Sequence, residues 1–153
     1  MPWSTSCCRK IPTARSGEFR YPPVRRRARL PRVLKIFLVD DSAPVRQRIE
    51  AMLAGIAGAR IVGQAGEAEA AVRDILAGQP DVVVLDLKLG TASGFDVLRA
   101  LREAGSRAEV YMLSNFATPA YRRRAEQLGA RAFFDKSTEF EHLRAAIASR
   151  VAE

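Results

Sequence analysis

The sequence is poor in cysteine, in histidine and in long apolar runs. Its two cysteines, Cys7 and Cys8, are adjacent, and its one histidine is His142. Adjacent cysteines rarely pair with each other, so the chain offers neither a disulfide framework nor a Cys/His cluster for a metal. No apolar stretch approaches the roughly 20 residues that a membrane-spanning helix needs. Because a secretory apolar core is also missing, we expect a cytoplasmic protein without membrane contact.

The excess positive charge is confined to the first 32 residues. The chain of 153 residues has 25 basic and 17 acidic residues, for a formal net charge of +8. Residues 1–32 contain one acid, Glu18, and nine basic residues: Arg9, Lys10, Arg15, Arg20, Arg25, Arg26, Arg27, Arg29 and Arg32. The other 16 basic and 16 acidic residues balance, so the rest of the chain is neutral.

Residues 1–32 are also rich in proline and have no hydrophobic period, which is typical of a disordered segment. Three interpretations stay open. The arginines suit a transit peptide, although a clean amphipathic pattern is missing. They also suit an electrostatic arm for nucleic acid or anionic lipid. We favour the third interpretation, a non-functional extension that precedes one domain at residues 33–153.

From residue 33 onward, short β-like runs alternate with segments of helical period. We predict strands at 34–39, 60–65, 81–86, 110–113 and 132–134, and a loop at 90–94. The third run is continuously apolar between its two aspartates, as expected of a central parallel strand that is buried on both faces. Five strands in alternation with five helices predict an α/β fold, a doubly wound sandwich around a parallel sheet.

Polar residues and apolar spacing predict how the helices begin and which faces point inward. Ser42 can cap the first helix, with Pro44 in its first turn, and Ser137 or Thr138 can cap the last. The three arginines at 122–124 are expected to face solvent. Helical spacing predicts inward stripes at Val45, Ile49, Met52 and Leu53; Ala68, Val72, Ile75 and Leu76; Phe95, Leu98 and Leu101; Tyr121, Ala125 and Leu128; and Phe140, Leu143, Ile147 and Val151.

Charged and hydroxyl side chains stand at the carboxyl ends of four predicted strands. They are Asp40 and Asp41 after the first, Asp86 at the third, Ser114 after the fourth and Lys136 after the fifth. Because the carboxyl ends of the strands share one edge of an open parallel sheet, these groups converge on one crevice. Three clustered carboxylates repel unless a cation lies among them, and hard oxygen ligands suit Mg²⁺. We therefore predict a magnesium site there.

The chain from residue 33 onward resembles a response-regulator receiver domain of two-component signalling. Five motifs support the resemblance, in that family's order and at its usual separations: 38–42 (LVDDS), 84–89 (VLDLKL), 93–98 (SGFDVL), 112–114 (MLS) and 129–136 (GARAFFDK). Each motif is weak alone, but together they are specific. The resemblance implies a flavodoxin-like (βα)5 fold with a five-stranded parallel sheet of order 2-1-3-4-5.

The resemblance also implies roles for the acids of the crevice. Asp86 would be the phosphoacceptor, taking a phosphoryl group from a histidine kinase or a histidine phosphotransfer protein. Asp41 would bind Mg²⁺ directly and Asp40 largely through bound water. The backbone carbonyl of Lys88 would be a further metal ligand.

Three more residues match positions that respond to phosphorylation in the family. Lys136 would pair with the phosphoryl group, Ser114 would swing in to hydrogen-bond it, and Phe133 would be the rotamer switch. Either Phe133 or Phe134 can instead simply fill the core. Many relatives have a cis proline after the lysine, where this chain has Ser137, so the isomer of that bond stays open.

Lys88 stands two residues past the predicted phosphoacceptor, facing the site in relatives. Its ammonium group can pair with the phosphoryl group or hinder an attacking water, so we hypothesise slow self-dephosphorylation. The same residue argues against one competing class, the haloacid-dehalogenase type of aspartyl-phosphate hydrolase, which needs a second acid at this position.

A nucleic-acid-binding protein that uses the basic extension is the other competing class. We favour a stand-alone receiver without an output domain, a phosphoacceptor switch that catalyses only its own phosphorylation and dephosphorylation. Its partners would be the phosphodonor and a downstream protein. A homodimer through the fourth and fifth helices is also open.

Overall fold

The computed structural model describes residues 32–153. The predicted extension therefore lies outside the described residues, except for Arg32, and its disorder and function stay predictions. Within the described part of the chain, no helix has the length and apolar character needed to cross a membrane.

A five-stranded parallel sheet lies at the centre of the fold. Residues 32–153 contain seven strands in all: β1 (Leu34–Val39), β2 (Ala59–Ala65), β3 (Val82–Asp86), β4 (Lys88–Leu89), β5 (Ala92–Ser93), β6 (Glu109–Ser114) and β7 (Ala132–Asp135). The main sheet has the order β2-β1-β3-β6-β7, and every neighbouring pair is parallel. Counted within this sheet, the order is the predicted 2-1-3-4-5, which is confirmed. All residues of β3 are buried, as a central strand requires.

Five helices cover both faces of the sheet, which confirms the doubly wound prediction. They are α1 (Ala43–Ala54), α2 (Ala68–Gly78), α3 (Gly94–Glu103), α4 (Pro119–Gln127) and α5 (Phe140–Ala152). Helices α1 and α5 pack on one face, where Ile49, Leu53, Leu143 and Ile147 join one apolar cluster. Helices α2, α3 and α4 contribute to the second cluster on the other face.

The start of α1 lies directly after the acidic pair at residues 40–41. As predicted, Ser42 caps this helix: its hydroxyl oxygen accepts a hydrogen bond from the Val45 amide at 3.4 Å, and a proline lies in the first turn. This cap holds Asp41 between the end of β1 and the first helical turn.

Two residues that helical spacing places on inward faces are exposed instead. Leu76 is 37% exposed and Tyr121 is 42% exposed, whereas Ala71, outside the predicted stripe, is fully buried. Spacing defines a wide apolar stripe, but the rotation of each helix against the sheet decides which of its edges is covered. The ring of Tyr121 lies beside that of Phe95, with centroids 6.0 Å apart.

Two local predictions are also wrong. Neither Ser137 nor Thr138 caps α5, because both lie in a turn and Glu139 is the N-cap residue. The turn is held by Asp135, whose carboxylate accepts from the Ser137 amide at 2.7 Å. The segment 90–94, predicted as a loop, contains β5, which pairs with β4 in an antiparallel ribbon.

Gly94, the first residue of α3, lies against the backbone of the predicted phosphoacceptor. A Cβ atom at this position would stand 2.2 Å from the Asp86 carbonyl oxygen. We therefore expect Gly94→Ala to lower the free energy of unfolding by about 2 kcal/mol or more, as overpacking against rigid backbone does. Chemical denaturation measures this.

Gly78→Ala is the matched control, because a Cβ at this exposed helical position would meet nothing within 4 Å. It should leave stability unchanged or raise it by up to about 1 kcal/mol, since alanine favours the helix more than glycine. Equal effects of the two substitutions would contradict the predicted contact at Gly94.

Candidate functional site

Three carboxylates meet at the carboxyl edge of the sheet. Asp40 follows β1, Asp41 precedes α1, and Asp86 ends β3, the strand that pairs with β1. One oxygen of each carboxylate lies within 4.8 Å of the others. Asp40 and Asp86 are buried, whereas Asp41 is exposed and faces the opening of the crevice.

The ammonium group of Lys136 lies between the two buried carboxylates. Its Nζ atom is 2.6 Å from an oxygen of Asp40 and 3.1 Å from an oxygen of Asp86. Lys136 stands just after β7, at the far edge of the sheet, and its side chain is only 9% exposed. With every group ionised, three negative charges face one positive charge, so the crevice keeps a formal charge of −2.

Neighbouring donors orient the acidic pair. The second oxygen of Asp40 accepts from the Ser42 amide at 2.8 Å, and the backbone carbonyl of Asp40 accepts from the Arg46 guanidinium. An oxygen of Asp41 accepts from the Gly90 amide at 3.2 Å, which ties the acidic pair to the segment after β4. Sequence reasoning missed Arg46, because its position on α1 does not distinguish it from other surface arginines.

The pKa of Asp86 is raised above its usual value of 3.8. Burial is the largest cause, and the negative charge of Asp40 adds to it. Lys136 opposes both through its charge and its hydrogen bond, and the backbone amide of Lys88 also favours the ionised form. Without a further cation, the carboxylate of Asp86 is therefore held in an unfavourable environment.

Ser114 ends β6 next to the acidic crevice. It follows Leu113, which pairs with Asp86 across the sheet, and it is 1% exposed. Its hydroxyl oxygen accepts from the Phe116 amide at 3.0 Å, and its carbonyl accepts from the Lys136 amide at 2.9 Å. The hydroxyl is thus bonded to its own loop, while its backbone contacts the segment of the lysine.

Phe133 and Phe134 lie on opposite faces of β7. Phe133 is 8% exposed and joins the cluster under α2, α3 and α4. Phe134 packs in the other cluster, with its ring stacked on Tyr111 at 6.3 Å. The guanidinium carbon of Arg122 lies 5.7 Å from the centre of the Phe133 ring. Arg122 was expected to face solvent; its side chain is 38% exposed and also bonds to the Phe133 carbonyl of β7.

The surroundings of Lys88 and Ser137 complete the site. The Lys88 side chain is exposed on β4. The role of the Lys88 backbone carbonyl as a metal ligand stays a prediction. The bond between Lys136 and Ser137 is trans, since residues 32–153 contain no cis peptide bond.

The donor set of the crevice fits Mg²⁺. Carboxylate oxygens from two strand ends lie close together, and hard divalent cations prefer such oxygens. A charge of +2 would balance the formal charge of the site. Magnesium keeps part of its water shell in proteins, which agrees with one exposed acid at the opening.

An open parallel sheet with acids at its carboxyl edge defines a doubly wound α/β protein of the flavodoxin-like class with an acidic, metal-compatible crevice. The family model "Response regulator receiver domain" matches residues 36–148. The chain therefore belongs to this family, whose members act in two-component signalling as phosphoacceptor switches and bind Mg²⁺ at an acidic pocket.

Curated relatives are longer than the matched region. The uncharacterized transcriptional regulatory protein YvfU of Bacillus subtilis is 30% identical over 115 residues, which cover 75% of this chain and 58% of that protein. A protein-glutamate methylesterase/protein-glutamine glutaminase of Geobacter sulfurreducens is 33% identical over 108 residues, covering 71% of this chain and 29% of that protein. The chain thus spans between about a third and three fifths of these two relatives.

Solved receiver domains share the fold. The signal receiver domain of the putative response regulator NarL from Mycobacterium tuberculosis has a TM-score of 0.73 at 26% identity, covering 80% of this chain and 98% of that chain. A LuxR-family two-component response regulator from Aurantimonas sp. has a TM-score of 0.72 at 29% identity, covering 77% and 84%.

Asp86→Asn should raise the melting temperature at neutral pH in a metal chelator. The raised pKa of Asp86 means that the fold favours the neutral carboxyl. This contribution to stability is fully present at a pH below the pKa of Asp86 in the unfolded chain, and it is lost as pH rises through the pKa in the folded protein. At neutral pH the ionised Asp86 carboxylate is therefore unfavourable for the fold. Neutral asparagine removes this charge, and Lys136 remains paired with Asp40. Thermal unfolding followed by circular dichroism measures this.

Asp96→Asn is the control, because the Asp96 side chain is 62% exposed and pairs only locally with Arg99. It should not raise the melting temperature. A lower melting temperature for Asp86→Asn would show that the Lys136 pair outweighs burial.

Proposed function

We propose that this chain is the phosphoacceptor of a two-component phosphorelay. The carboxylate of Asp86 attacks the phosphorus of a phosphohistidine on a histidine kinase or histidine phosphotransfer protein. A P–O bond forms, the P–N bond breaks, and the imidazole leaves with the electron pair and takes up a proton. The observation that best supports this is the buried Asp86 carboxylate beside Lys136 and two further acids, at the edge of a receiver-family sheet.

In this proposal the three carboxylates and the backbone carbonyl of Lys88 would hold Mg²⁺. The ion would supply positive charge at the phosphoryl oxygens, since phosphoryl transfer requires positioning and neutralisation more than covalent assistance. The oxygens of Asp40 already accept from Lys136 and from the Ser42 amide. We therefore assign Asp40 to contact through water and Asp41 to direct contact.

Lys136, Ser114 and Phe133 would convert phosphorylation into a change of surface. Lys136 pairs with the phosphoryl group, and Ser114 exchanges its bond with the Phe116 amide for one with that group. Charge-assisted hydrogen bonds contribute roughly 1.5–3 kcal/mol each. Inverting a population of 1:99 needs about 5.5 kcal/mol of differential binding. The two contacts approach that sum if they form only in the phosphorylated state, and Phe133 would then reorient beside them.

The output we propose is a phosphorylation-dependent protein contact in the cytoplasm, with catalysis limited to the chain's own phosphorylation and dephosphorylation. A downstream protein, or a second copy through α4 and α5, would bind the altered surface. The exposed Arg123 and Arg124 on α4 give that surface positive charge.

Acetyl phosphate with Mg²⁺ tests the proposal directly. We expect intact mass spectrometry to show a gain of one phosphoryl group on the wild type and none on Asp86→Asn, because the variant has no nucleophile. Asp96→Asn should be phosphorylated like the wild type. A wild type that neither binds Mg²⁺ nor gains this mass would contradict the proposed function.

Lys88→Ala should shorten the lifetime of the phosphorylated protein several-fold. Its exposed ammonium group lies two residues past Asp86, where it can pair with phosphoryl oxygens and hinder an attacking water. The decay of the phosphorylated mass after removal of acetyl phosphate measures the half-life. Lys35→Ala, at the amino end of β1, is the control, and a half-life that is the same in all three proteins would exclude this role.

A further inference from the structure

Arg122 on α4 bonds to three separate segments of the chain. Its Nε donates to the Ala117 carbonyl at 3.4 Å, in the segment between β6 and α4. One terminal nitrogen donates to the Phe133 carbonyl of β7 at 2.8 Å, and the other lies 2.8 Å from the Glu139 carboxylate, before α5. A guanidinium has several donors in a fixed plane, so one side chain can hold all three contacts.

Glu139 extends this connection to the residue before Lys136. The same carboxylate oxygen that pairs with Arg122 accepts from the Asp135 amide at 2.7 Å. The hydrogen bond from Arg122 is the largest cause that lowers the pKa of Glu139, so the Glu139 carboxyl is ionised at neutral pH. Because β7 is the last strand of the sheet, these two side chains bond backbone groups that no further strand pairs with.

The two segments joined by this Arg122–Glu139 pair contain Ser114 and Lys136, two of the predicted phosphoryl ligands. Ala117 lies three residues after Ser114, and Asp135 immediately precedes Lys136. We propose that Arg122 is a positioning residue that couples the Ser114 segment to the Lys136 segment, so that both engage the phosphoryl group together. The inference rests on the proposed function and deepens it by adding a residue that touches neither metal nor phosphate.

The coupling acts by preorganisation. When only part of the population has both ligands in place, the apparent affinity for a phosphoryl group falls by that fraction. A fall of the competent population to about a tenth therefore weakens binding about tenfold. The three carboxylates stand between β1 and α1 and at the end of β3, outside the coupled segments, so Mg²⁺ binding alone should change little.

Titration with beryllofluoride, a phosphoryl mimic, at saturating Mg²⁺ tests this by calorimetry. For Arg122→Ala we expect a Kd for beryllofluoride about tenfold above that of the wild type, while the Kd for Mg²⁺ alone stays within about twofold. A merely structural loss would lower the melting temperature and move both constants together. Arg123→Ala, an exposed arginine on the same helix, should change neither constant.

Three further variants separate the effect of the Arg122–Glu139 pair from the effect of the arginine's charge alone. Glu139→Gln keeps an acceptor for the Asp135 amide but removes the ion pair, so it should weaken beryllofluoride binding less than Arg122→Ala. Adding Glu139→Gln to Arg122→Ala should produce no additional loss, because both changes disrupt one contact. Arg122→Lys keeps the charge without the planar donors and should fall between the wild type and Arg122→Ala.

The outcomes distinguish the two levels of the proposal. A wild type that binds no beryllofluoride with Mg²⁺ overturns the proposed function itself. A wild type that binds, together with an unchanged Kd in Arg122→Ala, overturns only the positioning role. Equal changes in the beryllofluoride and Mg²⁺ constants also overturn it. If Arg122→Ala fails to fold, Glu139→Gln decides by the same criterion.

Discussion

The contact of one ammonium group with two buried carboxylates is the interaction on which the rest of the structure depends. Lys136 reaches Asp40 at 2.6 Å and Asp86 at 3.1 Å, and so joins the ends of the first, third and last strands of the main sheet. Like charges this close and this poorly hydrated are unfavourable unless cations neutralise them. One lysine leaves the crevice negative, and burial, to which the charge of Asp40 adds, raises the pKa of Asp86. A divalent ion and a phosphoryl group are the ligands that we propose for this site.

The crevice is linked to the outer surface through a short series of contacts. Ser114 and Lys136 are joined by a backbone hydrogen bond at 2.9 Å, and the segments that follow and precede them converge on Arg122. The ring of Phe133 lies under the same guanidinium. In the proposed function, a change in the bonding of Ser114 or Lys136 would be transmitted to α4, where neighbouring arginines face solvent. This is the physical route that we propose from phosphate chemistry to a protein contact.

Much of the fold follows from local patterns, and the errors have a common cause. The Val-rich β3 is central and wholly buried, as its uninterrupted apolar run predicts. The Ser42 cap is confirmed because an N-cap depends on only a few neighbouring residues. Leu76 and Tyr121 were misplaced because the rotation of a helix is decided by the surface it packs on. Ser137 does not cap α5, because it lies in a turn in which its amide donates to the Asp135 carboxylate.

Sequence alone determined the alternation of strands and helices, the family, and the set of acids and the lysine at strand ends. These follow because strand direction puts carboxyl ends on one edge whatever the details of packing. Only the tertiary structure decided which oxygen faces which donor, that Phe133 and Phe134 lie on opposite faces, and that Arg122 bonds to the edge of β7. Such contacts join residues distant in the chain, and their energies depend on distance and burial, which no local pattern encodes.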